Sequence, residues 1–143
     1  MKRAELVKTA RDWLGTPYQH QVSVKGVGTD CLGLLRGIWR THYGDEPLEV
    51  PPYTPEWNEL SGEETLLQAA QQALEEMPIG DAQIGDVLLF RMGMGSPAKH
   101  CAIISAPERI IHAYWGHCVV ETRLVPWWRR RIAAAFQFPN IED

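Results

Sequence analysis

The hydrophobic period of this chain changes once, near Ile84, and the change limits what it can fold into. Upstream, apolar residues recur every three or four positions, as on a helix face; downstream they run together or alternate, as in strands. Leu6, Val7, Ala10, Trp13 and Leu14 share one face of a first helix, stopped by Gly15 and Pro17. Cys31, Leu34, Leu35, Ile38, Trp39 and His42 mark a second helix, which ends near Tyr43-Gly44. Leu66, Leu67, Ala70, Leu74 and Met77 mark a third, which opens on the capping-box form Ser61-Gly62-Glu63-Glu64 and runs to Pro78. Between these two, Pro47 to Pro55 is too rich in proline for a helix or central strand and reads as an extended surface segment.

After Gly85-Asp86, the run Val87-Leu88-Leu89-Phe90 reads as a buried strand, followed by a glycine-rich crossing from Met92 to Pro97. His100 to Ile104 and Arg109 to Tyr114 are the arms of a hairpin joined around Ala106-Pro107. A further strand passes through Cys118 to Glu121 after a turn at Trp115-Gly116-His117, and Ile132, Ala134, Phe136 and Phe138 alternate in a last one. Helices first and strands afterwards predict an α+β domain, with N-terminal helices packed on one side of an antiparallel sheet.

The length of 143 residues predicts a single domain with a real core. A net charge of -4 argues against a general nucleic-acid binder, and Arg129-Arg130-Arg131 beside Trp127-Trp128 reads as a solvated strand entrance. Three cysteines cannot all pair with one another, which suits a reducing site of synthesis. The start Met1-Lys2-Arg3 leads into an amphipathic pattern instead of an apolar core, so neither a signal peptide nor a membrane span is expected.

Cys31 falls where a glycine-spaced loop becomes a helix, with Thr29 or Asp30 placed to cap it. A thiol there meets unpaired N–H groups and the positive end of the helix dipole, which makes a nucleophile; the same residue can also serve only as packing. His100 and His112 lie on the two hairpin arms. An odd loop centred on Ala106 places them as cross-strand neighbours on one face, whereas a two-residue turn at Pro107-Glu108 places them on opposite faces. On the first geometry His100 can take the Cys31 proton while His112 orients it. A zinc site built from His100-Cys101, His112 and His117-Cys118 is the rival, but adjacent strand residues point to opposite faces, and Cys101 and Cys118 read more simply as small core residues.

The combination Leu14-Gly15-Thr16-Pro17-Tyr18, Asp30-Cys31-Leu32-Gly33, Gly85 to Phe90, Lys99 to Ile104 and Ile111-His112-Ala113 resembles the NlpC-type cysteine peptidases of bacterial cell walls, in particular short members found among phage tail genes and gene transfer agents. The resemblance implies a papain-like domain with its core elements in permuted order, spanning 1–143 with an extended and helical insert at about 45–80. It implies Cys31 as nucleophile, His100 as general base and acid, and His112 as the orienting third residue. Tyr18 would help hold the oxyanion, and Asp30 would lie on the substrate-binding side. No cofactor and no metal are implied. The substrate would be the peptidoglycan stem peptide, commonly cut between D-glutamate and a diamino acid, and the partners tail or baseplate proteins of a phage-like particle that carries the enzyme to the periplasm or cell wall. A structural tail subunit with a weakly active or inactive peptidase fold is the alternative. One departure stands out: the family usually has serine after the cysteine, where this chain has Leu32, and in several members that serine helps bind the free amino end of the peptide.

Overall fold

The structure is a computed structural model that describes residues 1–50, 52–53 and 63–143. Helix α1 (Arg3–Asp12) is followed by a short ribbon, β1 (Ser23–Val24) and β2 (Gly28–Thr29), and by α2 (Cys31–Tyr43). After α3 (Thr65–Ala73) the chain forms β3 (Glu75–Met77), a 3₁₀ turn at Ile79–Asp81, β4 (Val87–Arg91), β5 (Ala98–Ala106), β6 (Arg109–Ala113), β7 (Val119–Arg123), α4 (Pro126–Arg129) and β8 (Ile132–Gln137). The main sheet has the order β3-β8-β4-β5-β6-β7, with every neighbouring pair antiparallel.

The continuous apolar run of β4 is explained by its place in the sheet, where both of its faces are covered. Val87 and Leu89 join Leu6, Ala10, Leu34, Ile38, Leu66, Ile103 and Phe136 under the helices. Leu88 and Phe90 turn to the other face, where they meet Ala102, Ile104, Ile110, Leu124 and Trp128. Helices α1 and α2 cross closely: a Cβ at Gly37 would lie 2.0 Å from Cζ2 of Trp13, so only glycine admits the ring there. His42 Nε2 and Thr9 Oγ1, 2.5 Å apart, tie the same pair of helices. The first turn of α1 is fixed to the sheet by Arg3, whose guanidinium donates to Asp86 Oδ1 at 2.5 Å and to Gln137 Oε1 at 2.9 Å. Asp86 has no exposure, so this pair satisfies a carboxylate that would otherwise be costly to bury.

Several sequence expectations are corrected. Leu14 is exposed, because α1 ends at Asp12 before the fifth apolar position. Met77 is not helical: after Leu74 the chain extends and Glu75–Met77 pairs with β8 at the sheet edge. Glu64 precedes α3 but does not cap it; its carboxylate accepts from Arg91 and from the Ala98 N–H instead. Ser61 and Gly62, like Pro51 and residues 54–60, lie outside the described residues. Leu48 and Val50 are half-buried and face Leu35 and Leu66 across an apolar cavity of about 310 Å³, so this part of the proline-rich segment is not a simple surface strap. The basic-aromatic stretch forms the short helix α4 and leads directly into β8, with Arg129 and Arg130 exposed; Trp128 is buried against the sheet face away from α1 to α3, while Arg131 lies over the half-exposed Trp127 ring, 3.7 Å from its centroid. Cys101 is a core residue as expected, but Cys118 is only half-buried.

Candidate active site

Asp30 is the residue that caps α2. Its Oδ1 accepts from the Gly33 N–H at 2.7 Å, which satisfies one of the orphan donors of the first turn. Its Oδ2 accepts from the Gln21 N–H at 2.8 Å and from the Tyr53 hydroxyl. The carboxylate is 2% exposed and fully engaged, so it is a structural clamp on the loop as well as part of the cleft wall. Burial and the Asp30 charge push the Tyr53 hydroxyl far above the usual tyrosine range, which keeps it a donor. Thr29 is held in the ribbon, paired with Ser23, and its hydroxyl donates to the Asp30 carbonyl at 2.9 Å. The ribbon lies against the first turn of α2 so closely that a Cβ at Gly33 would come within 2.2 Å of the Val22 carbonyl oxygen.

This cap leaves Cys31 as the first residue of α2, with its N–H ahead of the first intrahelical bond, from Leu34 N–H to the Asp30 carbonyl at 3.2 Å. The thiol is buried but borders a cleft of about 420 Å³ together with Tyr18, His20, Asp30, Tyr53, Met92, Lys99, His100, Ala113, Tyr114 and Trp115. Its Sγ lies 4.0 Å from the Lys99 carbonyl oxygen. The neighbouring Cys31 thiol, together with burial, pushes the Cys101 thiol well up, so Cys101 stays protonated. Leu32, the departure from the usual serine, faces the apolar cavity between α2 and α3 and does not line the cleft.

The histidines share a face for a reason the sequence leaves open. The hairpin turn is the two-residue Pro107-Glu108, with Ala106 paired to Arg109, and on parity alone it would separate them. A register shift between Ile104 and Ala106 makes Ser105 a bulge, and beyond it Ile104 pairs with Ile110 and Ile103 with Ile111. Continuing this register sets His112 opposite Ala102, diagonal to His100 and on its side of the sheet. Ser105 is held in place by its own hydroxyl, which donates to Glu121 Oε2 at 2.6 Å. The loop reading centred on Ala106 is therefore corrected in its turn, while its outcome of one shared face is what the structure has.

His100 Nε2 and His112 Nδ1 are 2.8 Å apart, and His112 Nε2 lies 3.1 Å from Thr122 Oγ1. The His100 ring stacks on Trp128 with centroids 5.2 Å apart and touches Phe90 and Tyr114; the edge of Trp128 meets His112 at 5.1 Å. Burial, and then His112, push His100 well below the ordinary histidine range, and burial with His117 brings His112 down to about 4. Both imidazoles are therefore neutral at pH 7, the form in which a histidine can accept a proton. His112 is not a wall of the cleft; it stands behind His100.

Tyr18 lines the cleft and is fixed there by a bridge to Thr29. The sequence-predicted Tyr18, Asp30, Cys31 and His100 thus meet in one cleft, with His112 behind them. His20, Tyr53, Thr122 and Trp128 carry no catalytic signal in the sequence, where Tyr53 and the Trp127-Trp128 pair suggest only contact surfaces for an assembly. His20 Nε2 bonds the Tyr53 carbonyl at 2.7 Å, and Tyr53 reaches the cleft from a segment with no periodic signal. His100 and Cys101 face opposite sides of the sheet, and among the described residues no group of three or more His, Cys, Asp or Glu side chains is gathered around one possible ion position.

The fold and this helix-strand-strand arrangement are those of the papain-like class. The NlpC/P60 family profile matches residues 15–136, and the chain belongs to that family. A search of curated proteins finds no match. Among solved structures, the NlpC/p60 domain of the peptidoglycan hydrolase SagA superposes with a TM-score of 0.70 at 22% identity, covering 96% of this chain and 100% of that one. An NlpC/P60 family protein from Bacillus cereus gives a TM-score of 0.69 at 22% identity, over 96% of this chain and 40% of the other. The peptidoglycan hydrolase RipB of Mycobacterium tuberculosis gives 0.61 at 17% identity, over 99% of this chain and 66% of that chain. This chain therefore spans all of one such domain and only part of the longer relatives.

Proposed function

We propose that this protein is a cysteine endopeptidase that hydrolyses the stem peptide of peptidoglycan, at the bond between D-glutamate and the diamino acid. The observation that carries the reading is the junction of one thiol at the α2 N-terminus with a neutral, hydrogen-bonded histidine pair across a single open cleft. Family membership and the peptidoglycan hydrolases among the structural relatives support the substrate class. The Asp30 oxygens are already bonded to Gly33, Gln21 and Tyr53 and leave little capacity for a free substrate amine; cleavage inside a peptide fits this better than recognition of a free end.

The reaction follows from the groups present. Sγ of Cys31 gives a proton to His100 across the cleft as the sulfur bonds to the substrate carbonyl carbon. The carbonyl electron pair moves to oxygen, which the Cys31 N–H and the Tyr18 hydroxyl stabilise. His100 then passes its proton to the leaving nitrogen as the C–N bond breaks, leaving a thioester on Cys31. Water attacks the thioester, His100 takes its proton, and collapse returns that proton to sulfur and releases the acid. His112 holds the His100 ring throughout by the bond to Nε2. Delivery within a phage-like tail or gene transfer agent, and action in the periplasm or wall, rest on the sequence resemblance alone.

Digestion of purified peptidoglycan and defined muropeptides, read by mass spectrometry, tests the proposal. New stem-peptide fragments made by the wild type and lost in Cys31→Ala are expected, and the fragment masses name the bond. No fragments from either protein would overturn it in favour of a structural subunit that keeps the fold without the activity.

A further inference from the structure

We propose that Thr122 is a positioning residue of this site: its hydroxyl accepts from His112 Nε2 in the tautomer that leaves Nδ1 free to accept from His100, and so supports that tautomer in a buried setting. The inference rests on the functional reading above and adds a member to its hydrogen-bond chain. Strand β7 pairs with β6 so that Thr122 lies opposite Ile110, diagonal to His112, and its Oγ1 sits 3.1 Å from His112 Nε2. His112 is 2% exposed, so no bulk water is at hand to replace a missing partner there.

Each neutral imidazole has one N–H and one lone pair, and a single hydrogen bridges the 2.8 Å gap between the two rings. His100 Nε2 is engaged with His112, which leaves Nδ1 as the nitrogen that can take a proton from the cleft. Nδ1 has its lone pair only if the His100 hydrogen is on Nε2, donated to His112 Nδ1. His112 must then carry its own hydrogen on Nε2, pointing at Thr122, where the hydroxyl oxygen accepts it. In the reverse arrangement His112 donates from Nδ1, the Thr122 hydroxyl turns to donate to Nε2, the His100 hydrogen moves to the cleft side, and the base has no lone pair for the thiol proton. Removing the hydroxyl orphans a buried N–H in the productive state, whereas the reverse state orphans only a lone pair, the more tolerable of the two. The population of productive tautomer then falls, and with it the turnover number.

Thr122→Val keeps the shape and strand preference of the side chain and removes the hydroxyl, while Thr122→Ser restores it. The side-chain nitrogen–proton correlations of histidine, recorded without substrate, report which nitrogen of His112 carries hydrogen. The wild type is expected to show Nε2–H, Thr122→Val a shift toward Nδ1–H, and Thr122→Ser a return. On a muropeptide substrate kcat is expected to fall about tenfold or more in Thr122→Val with KM within about twofold, and to recover in Thr122→Ser. His112 protonated on Nδ1 in the wild type, an unchanged tautomer and kcat in Thr122→Val, or an equal defect in Thr122→Ser would each overturn the proposal. If the wild type cleaves no muropeptide, the peptidase reading fails, and the tautomer measurement still decides the hydrogen-bond assignment by itself.

Discussion

The two faces of β5 carry different duties. On the face toward α1, α2 and α3, Cys101 and Ile103 join a deep aliphatic core built from long helices. On the opposite face, His100 lies under the short α4 in a setting of aromatic rings, Phe90, Tyr114 and Trp128. Adjacent residues thus enter unlike environments, one made for stability and one for holding a polar, neutral ring in place. The difference teaches that the thinner layer fixes the histidine pair, while the thicker one holds the shared sheet and carries Cys31 to the cleft on the first turn of α2.

The largest expected separation of the two faces is in activity. His100→Ala should lower peptidase activity by about a thousandfold, within the range for loss of a general acid-base. Thermal denaturation should also show a lower melting transition, because the lost ring leaves a gap beside Trp128 and an unpaired nitrogen on His112. Next, Ile103→Ala on the other face should lower stability by about 2–5 kcal/mol, measured by denaturant unfolding, with activity per folded molecule near that of the wild type. If both variants lose stability alike and activity alike, the division of labour fails.

A smaller effect sharpens the comparison through pH. His112 is brought down to about 4 in the folded protein, below the ordinary value of about 6.5 for an unfolded chain. Between those values the unfolded state binds more protons, so folding stability must decrease as pH falls through that window, by at most about 1.4 kcal/mol per pH unit for one group. Glu46 and Glu121, both lowered by hydrogen-bonded partners, contribute their own losses at more acid pH. His112→Asn should therefore lose less stability than the wild type between pH 7 and pH 5. An equal loss would mean that His112 is not buried as a neutral ring.

Much of the architecture was legible because burial writes its period directly. Leu34 and Ile38 on α2, and Val87 to Phe90 on β4, are buried as their spacing implies. The misreadings arose where one pattern ran into another: Leu74 and Met77 continue a helical spacing by chance, while the backbone has already turned to pair with β8. Cys31 at the start of α2 was readable from the change of loop to helix, and the resemblance supplied its partners. The shared face of the histidines was not decidable, because a bulge at Ser105 has no sequence mark and one residue reverses every side chain beyond it. Thr122, Trp128 and Tyr53 are ordinary residues made relevant by long-range packing, which no local pattern reports.

The central claim is that the Cys31 sulfur forms a bond to the substrate, and trapping that bond tests it most directly. Muropeptide turnover quenched in acid, followed by mass spectrometry of the digested protein, should find the peptide containing Cys31 heavier by the acyl half of the substrate. The adduct should be absent from Cys31→Ala, which should release no fragments. Release of stem-peptide fragments by Cys31→Ala, or wild-type turnover with an adduct on some other residue, would contradict the account.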